Sequence, residues 1–189
     1  MSLTELLESD AVEAAPGLLG CLLISRVGGE TTAIRISEVE AYRQDDPASH
    51  SHRGITPRNR TMFGPAGRLY VYRSYGIHWC ANVVTGPEGF GSAVLLRAGD
   101  PVEGVDVMIR RRGRSDHLTD GPGKLCQAMG IEGHHDGVDL LGDGPLILTP
   151  GEPPKTIRST PRIGISKATD VPWRFVGEFE RPGANLPRP

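Results

Sequence analysis

Glu40 is followed by a long segment rich in tyrosine, histidine and arginine. A carboxylate at the end of a strand that faces a cleft can act as a general base, whereas a glutamate on an open surface takes part in no chemistry. Position alone favours the surface interpretation, because glutamate side chains are usually exposed. The composition of the neighbouring residues therefore decides which interpretation holds.

Aromatic residues and arginines are concentrated in the same part of the chain. All four tyrosines lie between Tyr42 and Tyr75, and residues 47–87 contain five arginines and no aspartate, glutamate or lysine. Guanidinium groups pair well with phosphates, and aromatic rings stack on bases. This pattern favours a nucleic-acid surface, although the net charge of the whole chain is −2. Whether a second group of arginines, at 110–114, also contacts nucleic acid is left open.

Hydrophobic periodicity and turn residues predict the elements that must position these side chains. The expected elements in chain order are a helix over 3–15 ending near Pro16, strands over 18–25, 31–42, 68–74, 77–84 and 92–98, a helix opened by Asp100 and Pro101, a helix over 121–130, and short strands at PLILT, RIGIS and WRFVGEF. Short connections among the strands from 68 to 98 favour an antiparallel meander.

These elements predict an α+β fold: one domain over 1–189, with a curved, largely antiparallel sheet surrounded by helices. The tail at 181–189 is expected to be flexible. Residues 43–67 contain no regular pattern, and a loop of this length in a small domain is more often functional than idle. Glu40 would lie at the end of the strand that leads into this loop.

Other features exclude several classes of protein. The three cysteines are widely spaced and predict reduced thiols, with no disulfide framework or zinc site, and the histidines have no convincing metal-ligand spacing. We expect no metal and no cofactor. The acidic N-terminus and the lack of a long apolar run predict a cytoplasmic protein, associated with the nucleoid in a bacterium, with no membrane partner.

The segment around Glu40 resembles the 3-methyladenine (alkyladenine) DNA glycosylase family. The matching motifs are EAY at 40–42, ASHS and RGITPRNRTMF, GRLYVYRSYG, CAN, VLLRAGDPVEG at 94–104 and GPGKLCQA at 121–128, with weaker matches in PRIGIS and PWRF. The resemblance covers roughly residues 15–180 in order. It implies an enzyme that flips an alkylated or deaminated purine out of duplex DNA and hydrolyses its N-glycosidic bond.

The resemblance implies roles for residues in and around the predicted pocket. Glu40 would activate the water that attacks C1′ and stabilise the positive charge that develops there, and Arg97 would position both. Tyr42, His50 and Tyr72 would hold the flipped purine, with the rings stacking and His50 bonding to its edge. Tyr70 shares a strand face with Tyr72, so one of the two tyrosines could be structural; the resemblance selects Tyr72.

Further residues would hold the DNA. Tyr75, at the tip of a hairpin, would fill the gap left by the flipped base, and Asn82 would oppose the amino group of guanine and so exclude it. The residues expected to contact the DNA backbone are Arg53, Arg58, Asn59 and Arg60. The spacer RQDDPAS and the bulky Trp79 depart from the family pattern, and the choice among 3-methyladenine, hypoxanthine and ethenoadenine stays open.

The expected enzyme is a monomer that leaves an abasic site without cutting the strand, since strand cleavage needs an amine nucleophile and only three lysines exist. Two other functions stay open: a binding module without catalysis, and a hydrolase of free nucleosides. Replacing Glu40 tests the first alternative. Replacing Tyr75 tests the second, because a nucleoside hydrolase has no use for a residue that enters the duplex.

Overall fold

The structure is a computed structural model that describes residues 1–180. Its helices are α1 (Leu3–Glu8), α2 (Ala11–Leu18), α3 (Val105–Arg112) and α4 (Pro122–Met129). Its strands are β1 (Leu22–Ser25), β2 (Thr32–Tyr42), β3 (Leu69–Ser74), β4 (His78–Val84), β5 (Ala93–Glu103), β6 (Leu146–Thr149), β7 (Thr156–Thr160) and β8 (Arg174–Glu178). The tail for which flexibility was expected lies outside the described residues.

The strands form one antiparallel sheet in the order β3-β4-β5-β2-β1-β6, and β8 joins the free part of β2 with β7 beside it. The register between β2 and β5 shifts on both sides of Glu38, which is typical of β-bulges. Bulges bend a strand and increase its twist, so β2 curves and the sheet curls around it. The expected α+β fold with a curved antiparallel sheet is confirmed.

The core lies between the sheet and the helices, because α2 and α4 each turn a row of small and apolar side chains toward the strands. Fully buried members include Leu18, Leu23, Ile34, Leu96, Leu125 and Met129. A smaller cluster of Met62, Tyr70, Val84 and Ala93 lies beneath the loop at 43–67. Within residues 1–180, no helix has the length and apolar character needed to cross a membrane.

The strand over 31–42, the meander, α4 and the strands at PLILT and WRFVGEF are confirmed, with ends that differ by a few residues. The single helix over 3–15 is wrong. The Asp10 side chain accepts a hydrogen bond of 3.0 Å from the backbone N–H of Val12 and so begins a second helix. Pro16 lies inside α2 rather than after it. The strand expected over 18–25 starts only at Leu22, since α2 runs on to Leu18.

Two other expectations are wrong. Asp100 and Pro101 belong to β5, and α3 begins only at Val105. Proline is tolerated there because β4 pairs only with residues 93–95, so this part of β5 has β2 as a strand neighbour on one side only. RIGIS is not a strand, and the strand in that region is β7, whose residues are nearly all exposed and show no apolar alternation.

Candidate active site

A cavity of about 600 Å³ lies between the loop at 43–67, the β3–β4 hairpin and the segment at 163–167. The structure brings seven of the residues singled out from the sequence into its wall: Tyr42, His50, Arg58, Tyr72, Tyr75, Asn82 and Arg97. Glu40 lies directly behind the wall, and Arg53, Asn59 and Arg60 lie outside it. Residues that are far apart in the chain therefore meet at one hollow.

The sheet places these side chains by register and alternation. Leu95 of β5 pairs with Glu40 on one side and with Asn82 on the other, so β2, β5 and β4 bring the acid and the amide into one row. Tyr42 lies two residues after Glu40 and so shares its side of the strand. In the β3–β4 hairpin, Tyr70 pairs with Asn82, which aligns the aromatic row of β3 with the same hollow.

Glu40 is fully buried, and three donors hold its carboxylate. Oε2 accepts from the Tyr42 hydroxyl at 2.8 Å, and Oε1 accepts from the Ile163 backbone N–H at 2.8 Å and lies 3.3 Å from Arg97 Nη1. All three partners line the cavity. The carboxylate therefore lies one layer of side chains behind the wall, and not on the open surface that its position alone favoured.

Arg97 connects Glu40 to two further charged side chains. Arg97 Nε donates to Glu38 Oε1 at 2.7 Å, and Arg174 Nε donates to the same oxygen at 2.7 Å. Burial by itself opposes the charge of Arg97, but the carboxylates of Glu40 and Glu38 outweigh it and raise the pKa of Arg97. Burial likewise opposes the charge of Glu38, yet Arg174 and Arg97 hold the pKa of that carboxyl below its usual value. Arg97 is thus a fixed cation beside Glu40.

Tyr42 keeps its proton and remains a donor to Glu40. Burial, followed by the negative charge of Glu40, raises the pKa of Tyr42 well above its ordinary value. A phenol that stays protonated in contact with a carboxylate stabilises the ionised form of that carboxylate. The Tyr42 ring also lines the cavity, so one side chain presents an aromatic surface to the hollow and a hydroxyl to the acid behind it.

His50 and two tyrosines form an aromatic cluster in the cavity wall. The His50 ring packs edge-on against Tyr72, with centroids 4.5 Å apart and planes at 80°, and Nδ1 lies 3.2 Å from the Tyr70 hydroxyl. Although His50 as a whole is exposed, the partial burial of its ring, followed by the charge of Arg58, lowers its pKa. Its ring is therefore neutral at neutral pH, and Tyr70 is the residue that orients it.

The alternation of side chains along the strand left open which of Tyr70 and Tyr72 is structural, and the two residues differ in exposure. Tyr70 is only 1% exposed, and burial raises its pKa to about 12, whereas Tyr72 is half-buried. Their rings stack with centroids 5.6 Å apart and planes at 27°. Tyr72 is thus the more accessible of the two, and Tyr70 supports both Tyr72 and His50 from below.

The tip of the β3–β4 hairpin projects from the rim of the cavity. Tyr75 is 87% exposed, and its neighbour Ile77 is 68% exposed. Tyr75 and Gly76 have φ values of 49° and 68°, and the Ile77 N–H donates to the Ser74 carbonyl at 3.0 Å. Two successive positive φ values make a tight turn, which tyrosine adopts only with strain. Among residues 1–180, the Tyr75 side chain makes no hydrogen bond and stacks on no other ring.

The loop at 43–67 is fixed by hydrogen bonds to the segment before β5 and within itself. The Ser51 hydroxyl donates to the Gly91 carbonyl at 2.7 Å, and a Cβ on Gly91 would lie 2.4 Å from that of Ser51, so the close approach requires glycine. The buried Asn59 amide donates to the carbonyls of His50 at 2.9 Å and Gly54 at 3.0 Å. Asn59 was expected to contact a DNA backbone, but its side chain is engaged inside the loop.

The two groups of arginines have different surroundings. Arg53, Arg58 and Arg60 are exposed, and within residues 1–180 none of them forms an ion pair. In the second group, Arg110 pairs with Glu30 and Arg114 pairs with Asp116. Two further members bond within the protein, Arg111 to the carbonyls of Val27 and Ala128 and Arg112 to Gln127. The second group is therefore already engaged by the fold.

Several residues of the site were not identified from the sequence. RIGIS, at 162–166, was predicted as a strand, yet residues 163–167 line the cavity and the Ile163 N–H binds Glu40. Glu38, Arg174, Asp46 and Arg162 form the charged surroundings of the site. Only the short PRIGIS match pointed to this region, because a loop that binds through one backbone N–H has no periodic pattern.

A hollow with aromatic walls suits a nucleobase, and a buried acid beside a fixed cation suits cleavage of the bond that holds the base to its sugar. Together with the cationic loop at the rim, these features define the class of protein as the DNA glycosylases, which are hydrolases that act on N-glycosyl bonds. Residues 5–180 match the family model described as "Methylpurine-DNA glycosylase (MPG)". The chain belongs to this family.

Similar proteins occur in distant organisms. The chain is 56% identical over 175 residues to a protein of Methanoculleus marisnigri, covering 89% of this chain and 90% of that protein. It is 53% identical to a protein of Agrobacterium fabrum over 171 residues, or 89% and 84% of the two chains. It is 51% identical to one of Nitrosospira multiformis over 170 residues, or 88% and 85%. Each is named "Putative 3-methyladenine DNA glycosylase".

Proposed function

We propose that this protein removes damaged purines, alkylated or deaminated, from duplex DNA and leaves an abasic site for base excision repair. The observation that carries the proposal is the contact between Arg97, which lines the cavity, and the Glu40 carboxylate directly behind the wall. The names of the relatives support an alkylated purine such as 3-methyladenine as one substrate.

Glu40 would activate the attacking water. Its Oε1 already accepts from Ile163 and faces Arg97, whereas Oε2 accepts only from Tyr42 among the described residues. A carboxylate oxygen has two lone pairs, so Oε2 retains one for a water molecule that enters from the cavity. The water would then be oriented toward C1′, and the carboxylate would stabilise the positive charge that develops on the sugar.

The cavity wall would hold a flipped purine between aromatic surfaces. Tyr42 would lie on one face of the base, and His50 with Tyr72 would lie on the other; all three line the cavity. If the Tyr70 hydroxyl donates to Nδ1 of the neutral His50, the ring carries its proton on Nε2 and can donate to the edge of the base. Asn82 donates its amide to the Tyr70 carbonyl at 3.1 Å, which fixes the floor of the cavity where guanine would be excluded.

Extrusion of the base would depend on the hairpin and the loop. The glycosidic bond is inaccessible within the stack, so the nucleotide must leave the helix before it can react. Tyr75, exposed at the hairpin tip, would fill the gap. Arg53, Arg58 and Arg60 would bind phosphates and hold the duplex in register without reading its sequence. Asn59 would contribute by shaping the loop that carries them.

The enzyme would act by water alone, without a covalent intermediate. Lys167 lines the cavity, and it is the amine placed closest to the site by the fold. An amine that attacks the abasic aldehyde must first lose its proton, which requires burial or a neighbouring cation. Lys167 is exposed, which supports a role in binding phosphate instead. Borohydride treatment during the reaction should therefore trap no protein–DNA adduct.

The decisive experiment replaces Glu40 with Gln and measures base release from duplexes that each carry one modified purine. Glu40→Gln keeps the shape of the side chain but removes its basicity, so release should fall at least about 100-fold while binding to the modified duplex is retained. Alkali-induced strand breaks report the abasic product, and a gel-shift titration reports binding. Release at the wild-type rate would exclude Glu40 as the base, and a wild-type protein that only binds would be a binding module.

A further inference from the structure

Arg162 is a buried residue with contacts to several parts of the site. Its side chain is fully buried and forms a two-pronged ion pair with Asp46, through Nη1 to Oδ2 and through Nη2 to Oδ1 at 3.1 Å. Nη1 also donates to the backbone carbonyl of Ala41 at 2.9 Å. Ala41 lies between Glu40 and Tyr42, so the guanidinium holds β2 at the point where both of these side chains leave it.

The Arg162 guanidinium also packs between two aromatic rings. Its Cζ lies 4.7 Å from the ring centroid of Tyr42 and 5.2 Å from that of Trp173. Tyr42 lines the cavity, whereas Arg162 does not. The guanidinium therefore supports the Tyr42 ring from behind, on the side away from a bound base.

Arg162 is directly joined to the segment that covers Glu40. The next residue, Ile163, donates its N–H to Glu40 Oε1 at 2.8 Å. Asp46, the ion-pair partner, belongs to the loop that carries His50. One side chain thus connects the end of β2, the loop at 43–67 and the segment at 163–167, and all three contribute to the cavity wall.

Stability alone does not account for this arrangement. A buried ion pair is often no more stabilising than apolar side chains of the same volume, because both charges lose their hydration. In addition, Arg162 Nε is buried without a hydrogen-bond partner among residues 1–180, which reduces stability because the group loses its hydration without a replacement. The Arg162–Asp46 pair connects the parts of the site in a way that apolar residues could not, since it also holds a backbone carbonyl and a ring.

We propose that Arg162, held by Asp46, is a positioning residue that keeps the Tyr42 ring and the Glu40 carboxylate in a fixed relation. A purine stacked on Tyr42 then presents its glycosidic bond to the acid. This inference rests on the proposed function. Because a misplacement of about 1 Å can cost about 100-fold in rate, loss of Arg162 should slow base release far more than it weakens binding of the modified duplex.

The test compares single-turnover base release with the dissociation constant for the same duplex. Arg162→Met should lower the rate about 100-fold and change binding less than about fivefold. Arg162→Lys keeps the charge without the fork and should also be slow, while added guanidinium ion, but not methylammonium, should restore part of the activity of Arg162→Ala. Ser25→Ala is the matched control, because it removes a buried bond of 2.7 Å to Met129 on another part of the sheet.

A second readout is independent of catalysis. With ¹³C-labelled tyrosine, the chain gives four ring signals, and Arg162→Met should shift that of Tyr42 while leaving that of the exposed Tyr75 unchanged. Asp46→Asn serves the same purpose if Arg162→Met does not fold. An unchanged Tyr42 signal, or a rate within about threefold of wild type, would overturn the positioning role. A wild-type protein that releases no base would instead contradict the proposed function, and the Tyr42 signal would still test the placement.

Discussion

At the scale of single residues, the site depends on groups that keep one protonation state. Tyr42 stays protonated beside Glu40, Arg97 stays charged between Glu38 and Glu40, and His50 stays neutral beside Arg58. Each neighbour favours the form that the proposed chemistry needs. The neighbours of Glu40 distinguish it from a surface glutamate, because the Tyr42 hydroxyl and the Ile163 N–H both donate to its carboxylate.

The lowered pKa of His50 predicts a pH dependence of stability. The folded protein binds a proton at His50 less readily than the unfolded chain, so the free energy of unfolding should be unaffected above pH 6.5 and should fall as the pH decreases below it. His50→Gln should make this fall shallower. Thermal unfolding between pH 7.5 and 5.5, above the range of most carboxyl groups, measures the effect.

His52→Gln is the control for this prediction, because His52 lies in the same loop but does not line the cavity. Its unfolding profile should follow that of the wild type. His135, whose pKa is also lowered by burial and then by His134, remains in both variants and contributes equally. Identical profiles for His50→Gln and the wild type would show that the His50 ring is as well hydrated in the folded protein as in the unfolded chain.

At the scale of elements, a substitution at the hairpin tip should change base release without reducing the free energy of unfolding. Tyr75 buries little surface and adopts a positive φ, so Tyr75→Asn should leave the free energy of unfolding unchanged or raise it by up to about 1 kcal/mol. The same variant should release base from a modified duplex at least about tenfold more slowly, since the cost of extruding a base is a few kcal/mol. Release from a single strand should change little.

Ile157→Asn is the matched control for the hairpin variant. Like Tyr75, Ile157 has a large exposed side chain, at 44% exposure, but it lies on β7. Chemical denaturation and base release are measured on both variants. Full activity of Tyr75→Asn on the modified duplex would exclude the wedge and favour a hydrolase of free nucleosides, for which the duplex is irrelevant.

The elements with a strong pattern were predictable, and those defined by distant contacts were not. β2 alternates apolar and polar residues, and α4 has Pro122 at its start and Gly130 at its end, so both were predicted from local sequence. Pro101 in β5 was misread because its tolerance depends on where β4 stops pairing. The site shows the same division, since EAY was found from its motif, whereas Ile163 and Arg162 act through contacts more than 100 residues away.

At the scale of the whole molecule, the distribution of charge matters more than its sum. The net charge is −2, yet exposed arginines without ion pairs lie in the loop beside the cavity, and the arginines at 110–114 are bonded within the fold. Each cation that contacts a phosphate releases counterions on binding. The salt dependence of DNA binding therefore reports which arginines touch the duplex.

Replacing Arg53, Arg58 or Arg60 with Gln should each reduce the slope of log Kd against log salt concentration by roughly 1. Arg110→Gln and Arg114→Gln, whose guanidinium groups pair with Glu30 and Asp116, should leave the slope unchanged. Fluorescence anisotropy with an unmodified duplex across a range of salt concentrations measures all five variants. A reduced slope for the second pair alone would place the duplex on the opposite group of arginines.

The burial of Glu40 has a consequence for how this protein would travel along undamaged chromosomes. Of the charged side chains that line the cavity, Arg58, Arg97 and Lys167 are cations and none of the described ones is an acid. Passing phosphates would thus meet no carboxylate in the wall of the cavity, since the proposed hydrolytic group lies beneath it. Rapid search and bond breakage would then take place at separate depths of one surface, so that neither would have to be weakened for the sake of the other.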